Sequence, residues 1–407
     1  MSAIATSPSS LCSLHSSGAC GSCPHLDAPY TAQLIDKQER VARLLAAHVP
    51  RGAWAAPQAS APTGFRNKAK MVVAGTTARP TLGILDATGA GVDLTDCPLH
   101  VPPIRAALPV LADLIRDRGI APYDVPTRQG ELKHILVTAS PDEDLMVRFV
   151  LRSRHHVEDL RAALPRLREA LPQLAVLSAN IQGVHQAIIE GDEEIVLSQE
   201  DRLLMRLPLA DGRGRDWGNG DGGAEELPLL LPTRSFFQTN TAVAASLYAT
   251  ARHWAQGLSP GTVWDLFCGV GGFALALAAP GRRVLGVEAS APAIAGARQA
   301  AALMGLGPQE VRFEAGDARV LDPGAQGPDL LVVNPPRRGI GAELAGRIEA
   351  SRATGVLYSS CNPVTLAADL ERMPSLGVAR ARLFDMFPHT DHAEVLVELA
   401  RRWPSRS

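Results

Sequence analysis

The chain is short of several things, and each shortage excludes something. Aromatic residues make up only 4% of the 407 residues. Charge of either sign is not in excess: 40 Lys and Arg stand against 42 Asp and Glu, a formal net charge of −2. Bulk electrostatics is therefore excluded as a route to a polyanion, and any nucleic-acid contact has to rest on a local basic patch. No apolar run approaches the roughly 18 residues of a membrane span. The first twenty residues, MSAIATSPSSLCSLHSSGAC, lack the basic start and apolar core of a signal peptide. These absences set the expectation of a soluble, cytoplasmic protein without a membrane, and nothing in them implies an obligate protein partner. No internal repeat is visible, and the length allows two or three folding units.

Cysteine is scarce but clustered. Of six, Cys12, Cys20 and Cys23 stand close together near the amino terminus, and Cys97, Cys268 and Cys361 are scattered. In a reducing compartment, clustered thiols point to metal or to chemistry more than to disulfides. A C-x-x-C turn brings two sulfurs to one side, Cys12 adds a third, and Cys97 in Asp96-Cys97-Pro98 is the natural fourth. Zinc and an iron–sulfur cluster both accept four thiolates, so spacing leaves the two open.

What is present falls into segments. Residues 1–30 present the three cysteines. Residues 31–209 mix helix and strand, an α+β central domain. Helical spacing over Thr31–His48 and Val157–Leu171 is joined by strands at Lys70–Ala74, Leu132–Val137, Leu145–Leu151 and Ala175–Ile181. Residues 210–232 begin with ADGRGRDWGNGDGG and read as a flexible Gly-rich insertion or linker. Over 233–407 the pattern becomes regular strand–helix alternation, with strands expected at Thr262–Phe267, Arg283–Val287, Val311–Glu314, Asp329–Val333, Gly355–Ser359, Arg382–Phe387 and Ala393–Leu399. Such alternation predicts an α/β, Rossmann-like domain with a mostly parallel sheet. The short loop between the last two strands predicts an antiparallel final pair.

The chemistry-bearing residues sit at the expected strand ends. The first strand of the alternating region runs into Asp265-Leu266-Phe267-Cys268-Gly269-Val270-Gly271-Gly272, a glycine turn that lets backbone approach a ligand. Glu288 ends the second strand, where a carboxylate can hold a ribose diol. Asn334-Pro335-Pro336-Arg337 ends the fourth and projects polar groups toward a planar base beside a methyl donor. Cys361, in Tyr358-Ser359-Ser360-Cys361-Asn362-Pro363, ends the fifth, facing the same crevice, whereas Cys268 inside the glycine turn has a packing role. Glu394 is placed to act as a general base if burial lifts its pKa; the alternative is a surface charge. Ser235–Asn240 either covers a cofactor or caps a helix. Phe65–Lys70 is a basic stretch, either a phosphate contact or a solvated strand edge.

Taken in order, DLFCGVGGF, SFFQTN, NPPRRG, YSSCNP and the terminal HAE resemble the RNA (uracil-5-)-methyltransferase family over nearly the whole chain. The FRNKAKMVV stretch, the four-cysteine set and LFDMFPHT resemble the branch that methylates uridine 747 of 23S rRNA. The resemblance implies an S-adenosylmethionine-dependent methyltransferase with Cys361 as nucleophile and Glu394 as base. It implies cofactor contacts at Gln238, Phe267, Glu288 and Asn334. It also implies a [4Fe-4S] cluster on Cys12, Cys20, Cys23 and Cys97, carried by the central domain, and 23S rRNA as partner. Many relatives have Asp-Pro-Pro-Arg where this chain has Asn334-Pro335-Pro336-Arg337. Three other readings compete: a C5-uracil enzyme acting on another rRNA or tRNA uridine, an amino-group methyltransferase, and an iron–sulfur RNA-binding module without turnover. Arg337 disfavours the second, since it stands where such enzymes carry an aromatic residue. The joint presence of Cys361 and Glu394 disfavours the third.

Overall fold

A computed structural model describes residues 11–186, 188–209, 226–320, 323 and 327–401. The first half of the chain forms α1 (Ser13–Ser16), α2 (Tyr30–Leu44), β1 (Lys68–Thr76), β2 (Arg79–Leu85), β3 (Gly91–Asp93), α3 (Pro102–Arg118), β4 (Leu132–Ala139), β5 (Leu145–Leu151), α4 (Val157–Ala170), β6 (Leu174–Ile181) and β7 (Glu193–Val196). A two-stranded sheet of β8 (Arg202–Pro208) and β9 (Glu226–Pro232) follows. The second half forms α5 (Thr241–Leu258), β10 (Thr262–Leu266), α6 (Gly272–Ala276), β11 (Arg283–Glu288), α7 (Ala291–Leu303), β12 (Val311–Ala315) and β13 (Leu330–Val333). It closes with α8 (Gly341–Ala350), β14 (Gly355–Ser360), α9 (Pro363–Glu371), β15 (Leu376–Phe384) and β16 (Glu394–Arg401).

These elements form two units. The first contains residues up to Ala28, Ala61–Met205 and Pro232–Arg234; the second contains Pro29–Ser60, Arg206–Leu231 and the chain from Ser235. In the first, β3-β2-β1-β4-β5-β6-β7 make one sheet. Only the β5–β6 pair is parallel, as the α4 crossover between them requires. Strand β5 shows how the layers separate: Leu145, Val147, Phe149 and Leu151 enter the same buried core as Leu108, Leu111 and Ile115 of α3. Period-2 alternation sends Arg148 to the opposite face, where it is 2% exposed and pairs with Glu194 at 2.7 Å.

In the second unit the sheet order is β12-β11-β10-β13-β14-β16-β15. Strands β10 to β14 pair in parallel, and β16 inserts antiparallel between β14 and β15. Strand order reverses between β10 and β13, which opens a crevice at their carboxyl ends.

Three expectations change. Residues 29–60 fall with the second unit instead of the 31–209 stretch, because Trp54 and Gln58 bridge to Ala381 and Phe384 of β15. Residues 226–232 of the expected linker are strand β9, whose Leu227, Leu229 and Leu231 are buried; the Gly-rich residues 210–225 lie outside the described residues. The strand expected at Arg382–Phe387 runs Leu376–Phe384, since the alternation of apolar residues with Arg380 and Arg382 hides its start from an apolar-run reading.

Candidate active site

The crevice is built from strand ends. At the end of β10, Phe267 adopts φ +66° and hands the chain to Gly269 and Gly271. Gly271 has φ +88°, and a Cβ there would meet the Phe313 ring at 2.9 Å, so only glycine fits. The turn is braced by two acids. Asp265, fully buried, accepts from Ala274 N at 2.8 Å with one oxygen, and burial pushes its pKa to about 8. Glu288 accepts from Ser290 N at 2.9 Å and from Gly269 N at 3.3 Å, which fixes its carboxylate at the mouth of the glycine turn. Asn334 follows β13 on the same side. Gln238 is buried just before α5, whose N-cap Asn240 accepts from Val243 N at 3.3 Å. The SFFQTN segment is therefore a helix start with a buried glutamine, and its Phe236 remains 72% exposed. Cys268 is buried, as its packing role requires.

Cys361 and Glu394 come together for a topological reason. Because β16 runs antiparallel to β14, its first residue lies at the same edge as the carboxyl end of β14. The register pairs Ser359 with Leu396 and Ser360 with Val395. Carried one residue further, it sets Cys361 opposite Glu394. The thiol senses the carboxylate electrostatically: burial raises the Cys361 thiol above its ordinary pKa, the Glu394 charge raises it further, and the Arg337 guanidinium pulls it down. Glu394 is 2% exposed, and burial lifts its pKa to about 7 against the lowering effect of a hydrogen bond from Ser359. It is not a surface charge.

Supporting contacts hold both sides of this pair. Arg337 is pinned through its carbonyl, which accepts from Asn362 Nδ2 at 3.1 Å and Thr365 Oγ1 at 3.2 Å. The turn leading into Glu394 is held by α2. Lys37 Nζ pairs with Asp385 Oδ1 at 2.6 Å, with both side chains buried, and donates to the Phe387 carbonyl at 3.0 Å. Tyr30 OH donates to Asp385 Oδ2 at 2.8 Å, and Gln33 Oε1 accepts from His389 N at 3.1 Å. His389 needs this support, having a left-handed φ of +65°. Tyr30, Gln33, Lys37 and Ser359 carry no sequence signal: the α2 residues lie some 350 positions from their partners, and Ser359 reads as an ordinary strand residue.

In the first unit, Cys12, Cys20, Cys23 and Cys97 line one cavity of about 130 Å³ together with Arg66, His100 and a wall of Leu14, Leu26 and Leu99. Backbone bonds from Gly64 N to Pro98 O and from Arg66 N to Leu99 O hold the Cys97 segment beside β1. Burial raises the thiols of Cys23, to about 11, and of Cys97, and in both the other cysteines add to the rise. Among the described residues, no group of three or more His, Cys, Asp or Glu is arranged so that it could hold a metal ion. The basic stretch is not a solvated edge. β1 lies inside its sheet, Asn67 and Lys68 are buried, and Arg66 is drawn toward the thiols of Cys97 and Cys23.

Comparison with known proteins identifies the family and the fold. A general methyltransferase domain matches residues 263–335, and the tRNA (Uracil-5-)-methyltransferase family matches residues 327–402, the stretch holding Cys361 and Glu394. The 23S rRNA (uracil(747)-C(5))-methyltransferase RlmC of Yersinia pseudotuberculosis is 47% identical over 393 residues, covering 96% of this chain and 99% of its own length. The chain belongs to the RNA (uracil-5-)-methyltransferase family. The Yersinia pestis enzyme of the same name shows the same identity and coverage. Among solved structures, the Pyrococcus abyssi tRNA (uracil-54, C5)-methyltransferase, in complex with S-adenosyl-L-homocysteine, superposes with a TM-score of 0.74 at 23% identity. The match covers 93% of this chain and 85% of that one, so the family fold extends over both units. As a member of the family the chain is a methyltransferase. No helix of the described residues is long and apolar enough to cross a membrane.

Proposed function

We propose that the protein methylates C5 of uridine 747 in 23S rRNA with S-adenosylmethionine, using Cys361 as nucleophile and Glu394 as base. The observation that carries this reading is the register that sets the two opposite each other at the mouth of the crevice. The name of the 47%-identical relative supplies the target, and a reaction on ribosomal RNA fits the cytoplasm. Gln238, Phe267, Glu288 and Asn334 are the cofactor contacts in this reading. The backbone donors on Glu288 leave lone pairs for the hydroxyls of a ribose.

The residue types follow from the chemistry. C5 of uracil is too weak a nucleophile to take a methyl group directly. When the Cys361 thiolate bonds to C6, the C5–C6 π pair moves to C5 and its enolate. C5 then attacks the methyl of the sulfonium, and the S–CH3 pair leaves on sulfur. Glu394 removes the C5 proton, C5=C6 re-forms, and the thiolate is expelled from C6. Arg337 favours the thiolate at both ends of the cycle. The target has to be unpaired or turned out of its helix for the ring to reach these groups.

The four cysteines are proposed to hold a [4Fe-4S] cluster, which supplies a rigid thiolate-bound core. Four thiols facing one largely apolar cavity fit that group. Four thiolates accept zinc as readily as an iron–sulfur cluster, and the choice of the cluster rests on the family resemblance. Protein purified without oxygen is expected to be brown, with about four iron atoms per chain; stoichiometric zinc overturns the assignment.

The function is tested by mass mapping of 23S rRNA from a strain lacking the gene. The expected result is loss of a single 5-methyluridine at position 747, restored by the wild-type gene. Loss at another uridine moves the target, and an unchanged methylation pattern overturns the reading.

A further inference from the structure

The buried base has a partner of its own. Ser359 sits in β14 with no exposed surface, two residues before Cys361. Alternate residues of a strand share a face, so one strand end presents both the nucleophile and a hydroxyl beneath the base. That hydroxyl donates to Oε1 of Glu394, while Oε2 carries no hydrogen bond among the described residues. The carboxylate thus has one oxygen fixed and one available. The other titratable groups facing it are the Tyr248 hydroxyl of α5, which is buried, and the Cys361 thiol; from β15 the residue paired with it is the apolar Phe384. Where one hydroxyl makes the carboxylate's hydrogen bond in a buried site, it has most leverage on it.

We propose that Ser359 is a positioning residue of the reaction: its hydroxyl holds one oxygen of Glu394 so that the other meets the proton on C5. The inference rests on the reading of Glu394 as the base, and it assigns Ser359 to proton removal and not to thiol addition. The same bond favours the ionised carboxylate, so its loss makes the base harder to ionise.

The test compares wild type, Ser359→Ala and Ser359→Thr as full-length enzyme on a 23S rRNA transcript. Turnover is followed across pH. In parallel, formation of the covalent adduct is measured on a transcript carrying 5-fluorouridine. There C5 has no proton to lose, the reaction halts after methyl transfer, and adduct yield reports every step before the base acts. Ser359→Ala is expected to form this adduct at the wild-type rate. Its turnover limb on the acid side should shift to higher pH by about one unit, a loss of about fivefold at neutral pH. Ser359→Thr should restore the wild-type profile. An unmoved limb overturns the proposal, and so does an adduct rate that falls in step with turnover, because Ser359 would then be supporting Cys361. Glu394→Gln on ordinary transcript separates the two claims: if it turns over normally, the reading of Glu394 fails; if it stalls while Ser359→Ala is normal, only Ser359 is misassigned.

Discussion

Replacing Cys361 by alanine is expected to abolish methylation, a loss of at least about 10⁴-fold, with S-adenosylmethionine affinity unchanged. The size of the effect follows from what the sulfur does. Without a bond at C6, C5 keeps its π pair in the ring and offers nothing to the sulfonium, and no neighbouring group can substitute. Arg337 has no lone pair to give, and Glu394, opposite the thiol, is proposed as the proton acceptor. Cofactor affinity should survive because Gln238, Phe267, Glu288 and Asn334 belong to other elements. Stability should survive as well, since Cys361 is half-buried just beyond β14 and outside the core cluster beneath it. Methyl transfer from labelled cofactor and calorimetric cofactor binding check the two halves. Turnover near the wild-type rate overturns the covalent step.

Most of the candidate site's layout was legible in the sequence, because it is written at strand ends. Glycines, an Asn-Pro-Pro turn and a cysteine placed where strands stop are local features, and a parallel sheet gathers those stops at one edge. The seven expected strands of the second unit all form, though the sixth lies several residues earlier than its apolar run suggests. Glu394 was legible as a candidate, but its burial was not. That depends on β16 entering between β14 and β15, so that a carboxylate in a polar-looking HTDHAE stretch becomes the first residue of a central strand.

The rest was hidden for a common reason. Lys37 looks like any solvated residue of an amphipathic helix, and the Phe65–Lys70 stretch looks like any basic surface. Lys37 is instead buried against Asp385, and in the basic stretch Asn67 and Lys68 are buried while half-buried Arg66 faces the thiols of Cys97 and Cys23. A charged side chain in a helix or strand pattern does not announce an interior ion pair, since the pattern records only which face is apolar. The helix expected at Thr31–His48 was found as α2, but its task of fixing the turn before the Glu394 carboxylate appears only when the two are side by side.

Glu394→Gln is expected to stop the reaction one step later than the cysteine variant, and to leave a visible product. Thiol addition and methyl transfer need no proton acceptor at C5, so both proceed. Elimination then fails, and enzyme and RNA should run as a covalent complex on a denaturing gel, absent when Cys361 is also replaced. The same substitution makes a physical prediction about the fold. Burial raises the Glu394 pKa to about 7 in the folded chain, against roughly 4.3 when unfolded. The folded state therefore binds more proton than the unfolded one between these values, and its stability falls as pH rises through that window. Glutamine keeps the shape and an acceptor for Ser359 without a charge to desolvate. The variant should melt higher than wild type above pH 7, by an amount on the order of 1–3 kcal/mol, and the difference should vanish below about pH 4.5. An enzyme that gains stability when its base is neutralised carries that carboxylate for catalysis. Equal melting at high pH, together with no trapped complex, removes Glu394 from the mechanism.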